Sequence, residues 1–244
     1  LVDPRFEVPL IGDEVAAPRG LEEPYAAYDL PDDGTRLDMM VLYTNGMASA
    51  YPGSQIDTRI QNLIDQSNLA LANSQIDTQL NLVYSQAVNY PDDSIGDMRE
   101  ALDDLTKNLG VFSNVETLRT LYGADQVTLL RQYVDEGCGM AWLLQATTDA
   151  GHAYSVVHDA EKTDNSGYYC SELTFVHEFG HNLGCQHDRA NASVPGRFPY
   201  SYGYQDAANL FRTVLPYDCV GGCPRIPYFS SPDPTYHGKP RGVP

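Results

Sequence analysis

Between residues 54 and 72, Ile56, Ile60, Leu63, Ile64, Ala70 and Leu71 recur three or four positions apart. That spacing gathers apolar side chains on one face of an α-helix. On either side the period changes. Residues 37–44 are a short apolar run that reads as a buried strand, and residues 78–90 alternate through Leu80, Leu82 and Tyr84 as a strand does. A second helix is predicted from Ser94 to about Asn108, with Asp97 in a capping-box position, and a short third one over Val115–Tyr122. Gln126–Val134, Met140–Leu144 and Tyr154–His158 read as strands, and a helix follows over about Ser171–Leu183. This order implies an α/β region with a mixed sheet and two backing helices. Outside it the periodicity disappears. Residues 1–36 are Pro-rich and acidic and are expected to form an extended arm or a propeptide remnant. Residues 188–244 are rich in Gly, Pro and Tyr and are expected to form a small irregular C-terminal subdomain below the α/β region of residues 37–187. Ser-Gln-Ile-Asp-Thr occurs at 54–58 and again at 74–78, but no longer repeat period accompanies it.

The chemistry sits where the last predicted helix ends. His177-Glu178-Phe179-Gly180-His181-Asn182-Leu183-Gly184-Cys185-Gln186-His187-Asp188 carries three imidazoles and a carboxylate at fixed offsets. His177 and His181 lie one helical turn apart and about 40° apart around the axis, so both reach one metal ion. Gly184 lets the chain leave the helix through left-handed backbone geometry and return His187 as a third ligand. Three protein ligands leave a fourth tetrahedral position for water, the arrangement of a catalytic zinc rather than a structural one. Glu178 flanks the metal without binding it and is the candidate general base. With 6 His in 244 residues, His-Glu-x-x-His alone arises by chance in roughly 1% of such chains; the added Gly184, His187 and Asp188 lower that to roughly one in a million.

His-Glu-x-x-His-x-x-Gly-x-x-His is the signature of the metzincin zinc endopeptidases. The following Asp188 resembles their adamalysin/reprolysin branch. Leu37–Thr44 is similar to that branch's first strand and Cys138–Leu143 to its edge-strand region. Phe211–Cys219 is similar to its Met-turn region, and Cys223–Pro232 to the wall beyond. Over roughly residues 36–238 the chain resembles the bacterial peptidyl-Asp metallopeptidases. The resemblance implies a metzincin-like zincin fold: a mixed twisted sheet, backing helices, an active-site helix and a small lower subdomain. It implies zinc held by His177, His181 and His187, with Glu178 as base. It makes Tyr217 an oxyanion-stabilising candidate two positions after Leu215, which stands where the family has the Met of its Met-turn. Asp188 is then expected to anchor the loop carrying His187, with Gly184 and Cys185 as structural neighbours of the site. Cleavage on the amino side of Asp needs a cation in the substrate pocket, for which Arg225 is the first candidate and Arg212 the second. The Pro/Gly-rich stretch 231–244 is expected to lack the family's C-terminal helix.

Composition narrows the partners. The formal net charge is −18, from 33 acidic and 15 basic residues, which argues against nucleic acid. The dispersed acidic residues could supply calcium ligands beside the zinc, although no complete EF-hand pattern is present. No run of 18 apolar residues exists, so no membrane span is expected. The chain opens at Leu1, which reads as a processed or trimmed product. A secreted, extracellular monomer acting on proteins or peptides is the expectation. Of the five cysteines, Cys138–Cys170 and Cys219–Cys223 are expected to pair and Cys185 to stay a buried free thiol, with a Cys185–Cys219 bridge as the alternative. His152, His158 and His237 lack ligand spacing and are expected to be ordinary. Two readings compete with the peptidase. One is a non-catalytic zinc-containing binding module. The other is a latent zymogen blocked by residues 1–36, with Asp32 or Asp33 supplying the blocking carboxylate.

Overall fold

A computed structural model describes residues 14–17, 36–92, 97–133, 137–146, 151–159 and 169–243. Asp32, Asp33 and the start of the helix expected at Ser94 lie outside them. The elements, in chain order, are β1 (Glu14–Ala16), β2 (Arg36–Thr44), α1 (Asn45–Ala50), α2 (Gln55–Asn73) and β3 (Gln79–Val88). They continue with α3 (Met98–Thr106), a 3-10 turn at Gly110–Phe112, α4 (Val115–Tyr122), β4 (Gln126–Gln132), β5 (Gly139–Leu143), β6 (Tyr154–Asp159) and α5 (Leu173–Asn182). Two small antiparallel pairs follow: β7 (Gln205–Asp206) with β8 (Phe211–Arg212), and β9 (Ser231–Tyr236) with β10 (Lys239–Arg241).

The main sheet has the order β1-β5-β6-β4-β2-β3. Strands β6, β4, β2 and β3 are parallel, β5 is antiparallel to β6, and β1 adds parallel to β5. Because successive side chains of a strand face opposite ways, β2 serves two cores. Met39 and Val41 join Ile60, Leu63, Ile64 and Leu71 of α2 and Phe175, Val176 and Phe179 of α5. Met40 and Leu42 join Leu102 and Leu105 of α3 and Val115 of α4. The result is a sheet sandwiched between helices. A continuous apolar run from Met39 to Tyr43, rather than strict alternation, marks β2 because both of its faces are covered.

Helix boundaries follow local chemistry. Thr44 caps α1, its hydroxyl accepting from Met47 N, and Asp97 caps α3, accepting from Glu100 N at 2.7 Å. Within the described residues this helix runs from Met98, with Asp97 accepting one of its orphan N–H groups. α4 ends on Gly123 in left-handed geometry. The helix α1, a six-residue element with only Met47 buried, was not expected from periodicity. Nor was the β9–β10 hairpin, which occupies the stretch expected to lack a helix and buries Arg241. Both expected disulfides are formed, Cys138–Cys170 and Cys219–Cys223, and Cys185 is a free thiol, so the Cys185–Cys219 alternative is set aside.

His158 is buried behind the first disulfide, its Nδ1 donating to Gly137 O at 2.9 Å. Burial, with the Arg131 guanidinium adding to it, pulls the imidazole down to about 3. The folded state therefore favours neutral His158. Its contribution is complete above the unfolded value near 6.5 and is lost as pH falls toward 3. From pH 7 to pH 5 this residue should remove about 2 kcal/mol of stability. Urea unfolding at the two pH values should show a smaller loss for His158→Gln than for the wild type.

Candidate metal centre

α5 is buried along all ten residues, which is unusual for a helix without a long apolar sequence. The sheet covers one side of it and the lower part of the chain the other. Asn182 Nδ2 donates to Trp142 O at 2.8 Å and to Tyr154 O at 3.2 Å, while Leu144 N donates to His181 O at 3.2 Å. These bonds fasten the helix end to β5 and β6. Beyond Asn182 the chain closes tightly: Gly184 N donates to His181 O, and Cys185 N to Gly180 O. Gly184 has φ +82, and a Cβ there would stand 2.6 Å from Leu144 O and 2.5 Å from Arg197 Cβ. Only glycine fits this corner. The corner returns His187 to the helix, as expected.

The three imidazoles meet. Ring nitrogens of His177, His181 and His187 all lie within 4.8 Å of one another, and all three residues are buried. Nε2 of His177 stands 3.0 Å from Nε2 of His181 and 3.3 Å from Nε2 of His187. His177 Nδ1 faces Val214 O at 2.9 Å, and His181 Nδ1 faces Cys185 O at 2.8 Å. A carbonyl only accepts, so both Nδ1 atoms carry the proton and both Nε2 atoms present lone pairs. Two lone pairs at 3.0 Å repel unless a cation lies between them. Ligands about 2.0–2.1 Å from one tetrahedral zinc stand about 3.3 Å apart. The spacing, the tautomers and the all-nitrogen donor set therefore fit zinc.

Glu178 is fully buried and lies against β5. A Cβ added to Gly139 would stand 2.2 Å from Glu178 Oε1, so glycine is what leaves room for the carboxylate. The Tyr217 ring centroid lies 4.2 Å from that of His187, and Tyr217 also packs on Tyr133 and the Cys138–Cys170 disulfide. Leu215 is buried beneath α5: its Cδ2 would sit 3.0 Å from a Cβ on Gly180. The carbonyl of neighbouring Val214 is the acceptor for His177. Asp188 accepts from Ala190 N at 3.2 Å and from Asn191 Nδ2 at 2.9 Å. Burial pushes the Cys185 thiol up to about 11, consistent with an inert packed residue.

One candidate takes a different role. Arg212 is buried in the lower part of the chain, where Nε donates to Cys223 O at 3.1 Å and Nη1 to Pro216 O at 3.2 Å. Its guanidinium ties the Cys219–Cys223 loop to the segment carrying Leu215 and Tyr217. Arg225 is half-buried and pairs through its backbone with Arg212. His152 makes an edge contact with Trp142, and His237 turns the β9–β10 hairpin at φ +48. Three parts of the site had no sequence signal: the carbonyls of Val214 and Cys185, common to every residue; Gly139, one glycine among 20; and Glu14, from the aperiodic arm, whose Oε2 lies 3.2 Å from His187 Nδ1.

A family model described as metallo-peptidase family M12 matches residues 33–230. The chain belongs to this family. It is 29% identical over 228 residues to a peptidyl-Asp metalloendopeptidase of Xanthomonas campestris pv. campestris, covering 88% of this chain and 51% of that protein. It is 31% identical over 214 residues to one of Stenotrophomonas maltophilia, covering 84% of this chain and 47% of that protein. It thus spans about half the length of these curated relatives. A solved structure titled "Structure of a chaperone-substrate complex" superposes with a TM-score of 0.64 at 23% identity, over 86% of this chain and 31% of that one; this is a likeness of fold. The mixed α/β architecture is the metzincin-like one of the M12 family, as the motif implied. No described helix is long and apolar enough to cross a membrane.

Gly184→Ala should unite strain at positive φ with a backbone collision. The expected cost exceeds about 1 kcal/mol, read as a lower melting temperature together with faster zinc loss to a chelator. Unchanged values in both would show that the corner tolerates a side chain.

Proposed function

We propose that this chain is a zinc-dependent endopeptidase that hydrolyses proteins on the amino side of aspartate residues. The observation that carries the reading is the convergence of three imidazole Nε2 atoms beside the buried carboxylate of Glu178. When bound there, zinc supplies a Lewis acid that polarises the scissile carbonyl and acidifies the attacking water. Glu178 receives the water's proton at a carboxylate oxygen and passes it to the leaving amine. Gly139, which has no Cβ to collide with Glu178 Oε1, leaves the carboxylate room beside the ligands. The Tyr217 hydroxyl, on a ring packed against His187, is the donor for the developing oxyanion. Leu215 gives the site an apolar floor in place of methionine, a swap of similar volume. Asp188 keeps the His187 loop closed.

The aspartate preference rests on the names of the relatives and on the need for a cation. With Arg212 committed to two carbonyls, Arg225 is the residue for the substrate carboxylate. The two disulfides favour an oxidising compartment and hence secretion. Zinc is the metal this donor set favours. A non-catalytic zinc module would have no use for a buried glutamate held beside the ligands. The protein is assigned as a monomer with an α/β part over residues 37–187 and an irregular part over 188–244.

Glu178→Gln should keep stoichiometric zinc and lose roughly 10²–10⁴-fold in hydrolysis; retained turnover would overturn its role. Gly139→Ala, which pushes the same carboxylate aside, should also keep zinc and lower kcat rather than raise KM. Digestion of a mixed protein substrate, followed by sequencing of new N-termini, should return Asp at the first position. Arg225→Ala should scatter that preference while cleavage continues.

A further inference from the structure

Resting on the peptidase reading with Tyr217 as the oxyanion donor, the hydrogen bonds behind that residue point to what places its ring. Residues 213–218 belong to no helix or strand, so no ladder holds the backbone of Tyr217. Side chains hold it instead. β7 and β8 pair with Gln205 opposite Arg212, and directly opposed residues of an antiparallel pair share one face. Arg212 Nη1 donates to Pro216 O at 3.2 Å. Gln205 Nε2 donates to the next two carbonyls, Tyr217 O at 2.8 Å and Asp218 O at 3.3 Å. Successive carbonyls on both sides of the Tyr217 ring are thus gripped from one pair of strand residues.

Gln205 also reaches the other way. The same Nε2 lies 3.4 Å from Asp188 Oδ2, on the residue that follows His187. The carboxylate and the carbonyls only accept, so the amide must turn its NH2 group toward them. The backbone just before Gln205 is fixed on both sides. Gly203 N donates to Gln186 O at 2.9 Å and to His187 O at 3.2 Å, and a Cβ on Gly203 would stand 2.6 Å from Pro216 N. Gln205 therefore splices the loop that carries His187 to the segment that carries Tyr217. Across that splice the two rings stand 4.2 Å apart between centroids. Arg212 is buried and bonds Cys223 O as well, so its loss would disturb the lower part of the chain as a whole. Gln205 is half-buried and can be changed locally.

We propose that Gln205 is a positioning residue of the peptidase: its amide locks the Tyr217 backbone to the Asp188 end of the His187 loop and so sets where the Tyr217 hydroxyl meets the developing oxyanion. A donor of this kind works only if it is in place when the charge develops, and a displacement of about 1 Å costs up to roughly 10²-fold in rate. Gln205 acts through Tyr217, not on substrate or metal.

The zinc-loaded 244-residue chain is compared with Gln205→Leu, Gln205→Glu, Gln205→Lys, Tyr217→Phe and the double variant Gln205→Leu with Tyr217→Phe. Gln205→Leu, which keeps bulk and removes the donor, should lower kcat on a quenched peptide roughly 10–100-fold with little change in KM. Gln205→Glu, which sets an acceptor against acceptors, should lose at least as much. Gln205→Lys, whose ammonium donates to the same oxygens, should recover most of the rate. Tyr217→Phe should lose roughly 10²-fold, and adding Gln205→Leu to it should cost less than about twofold more, because the hydroxyl it positions is already gone. A phosphinic peptide, whose tetrahedral anion imitates the oxyanion, is titrated into the same proteins by calorimetry. Gln205→Leu should weaken it roughly tenfold, Gln205→Lys should restore it, and Gln205→Leu should weaken it no further once Tyr217 is Phe. This binding is read without turnover. If the wild type cleaves nothing yet the affinities follow that pattern, the peptidase reading falls and the positioning role stands. Wild-type kcat and affinity in Gln205→Leu overturn it, as does full activity in Tyr217→Phe. Equal losses from Gln205→Leu with and without the Tyr217 hydroxyl show a merely structural residue and overturn it too. Should Gln205→Leu fail to fold, as judged by its melting temperature, Gln205→Lys and Gln205→Glu decide: equal kcat and equal affinity in those two overturn the proposal.

Discussion

Three imidazole lone pairs aimed at one point repel one another, and protein atoms alone would not hold them there. What holds them is the far side of each ring. The Nδ1 protons of His177 and His181 are taken by the carbonyls of Val214 and Cys185, and His187 Nδ1 faces Glu14. These acceptors come from the segment beneath the helix, from the turn after it, and from a strand distant in sequence. The centre therefore depends on the whole chain being packed, and the binding energy of the cation is in part folding energy.

The surrounding architecture reads as a set of solutions to that requirement. Burying α5 on all sides removes water from the ring nitrogens, but it also demands partners for every polar group. Asn182 meets part of that demand with two carbonyls of the sheet, and the Gly184 corner satisfies the helix's last carbonyls with its own N–H groups. Arg212 stabilises the lower part in the same manner, bonding carbonyls of Pro216 and Cys223. The Cys138–Cys170 disulfide, Tyr133 and Tyr217 form a small cluster beside the third ligand. In each case a buried polar or apolar group is used to fix the backbone that presents an imidazole or the Glu178 carboxylate.

Much of this was legible in the sequence. Helical and alternating periodicity located α2, β3, α4 and the central strands, because those elements bury one or both faces in a regular way. The histidine motif set three imidazoles, the neighbouring carboxylate and the turn glycine, because a helix and one left-handed residue suffice to bring them together. Local signals failed where burial was slight or contacts were long-range: α1 buries one residue, and the β9–β10 hairpin is held by an arginine rather than an apolar stripe. Nothing in the spacing of Arg212 showed that its guanidinium would bond the carbonyls of Pro216 and Cys223.

The sequence by itself thus determined the metal chemistry and the layered α/β class, since both are written in short repeating intervals that the backbone geometry enforces. Tertiary structure decided what stands behind each ligand, that Arg212 bonds backbone carbonyls, why residue 139 is glycine, and that Glu14 reaches His187. Those facts arise when segments separated by tens to more than a hundred residues are packed against each other, and no local spacing records which of them will meet.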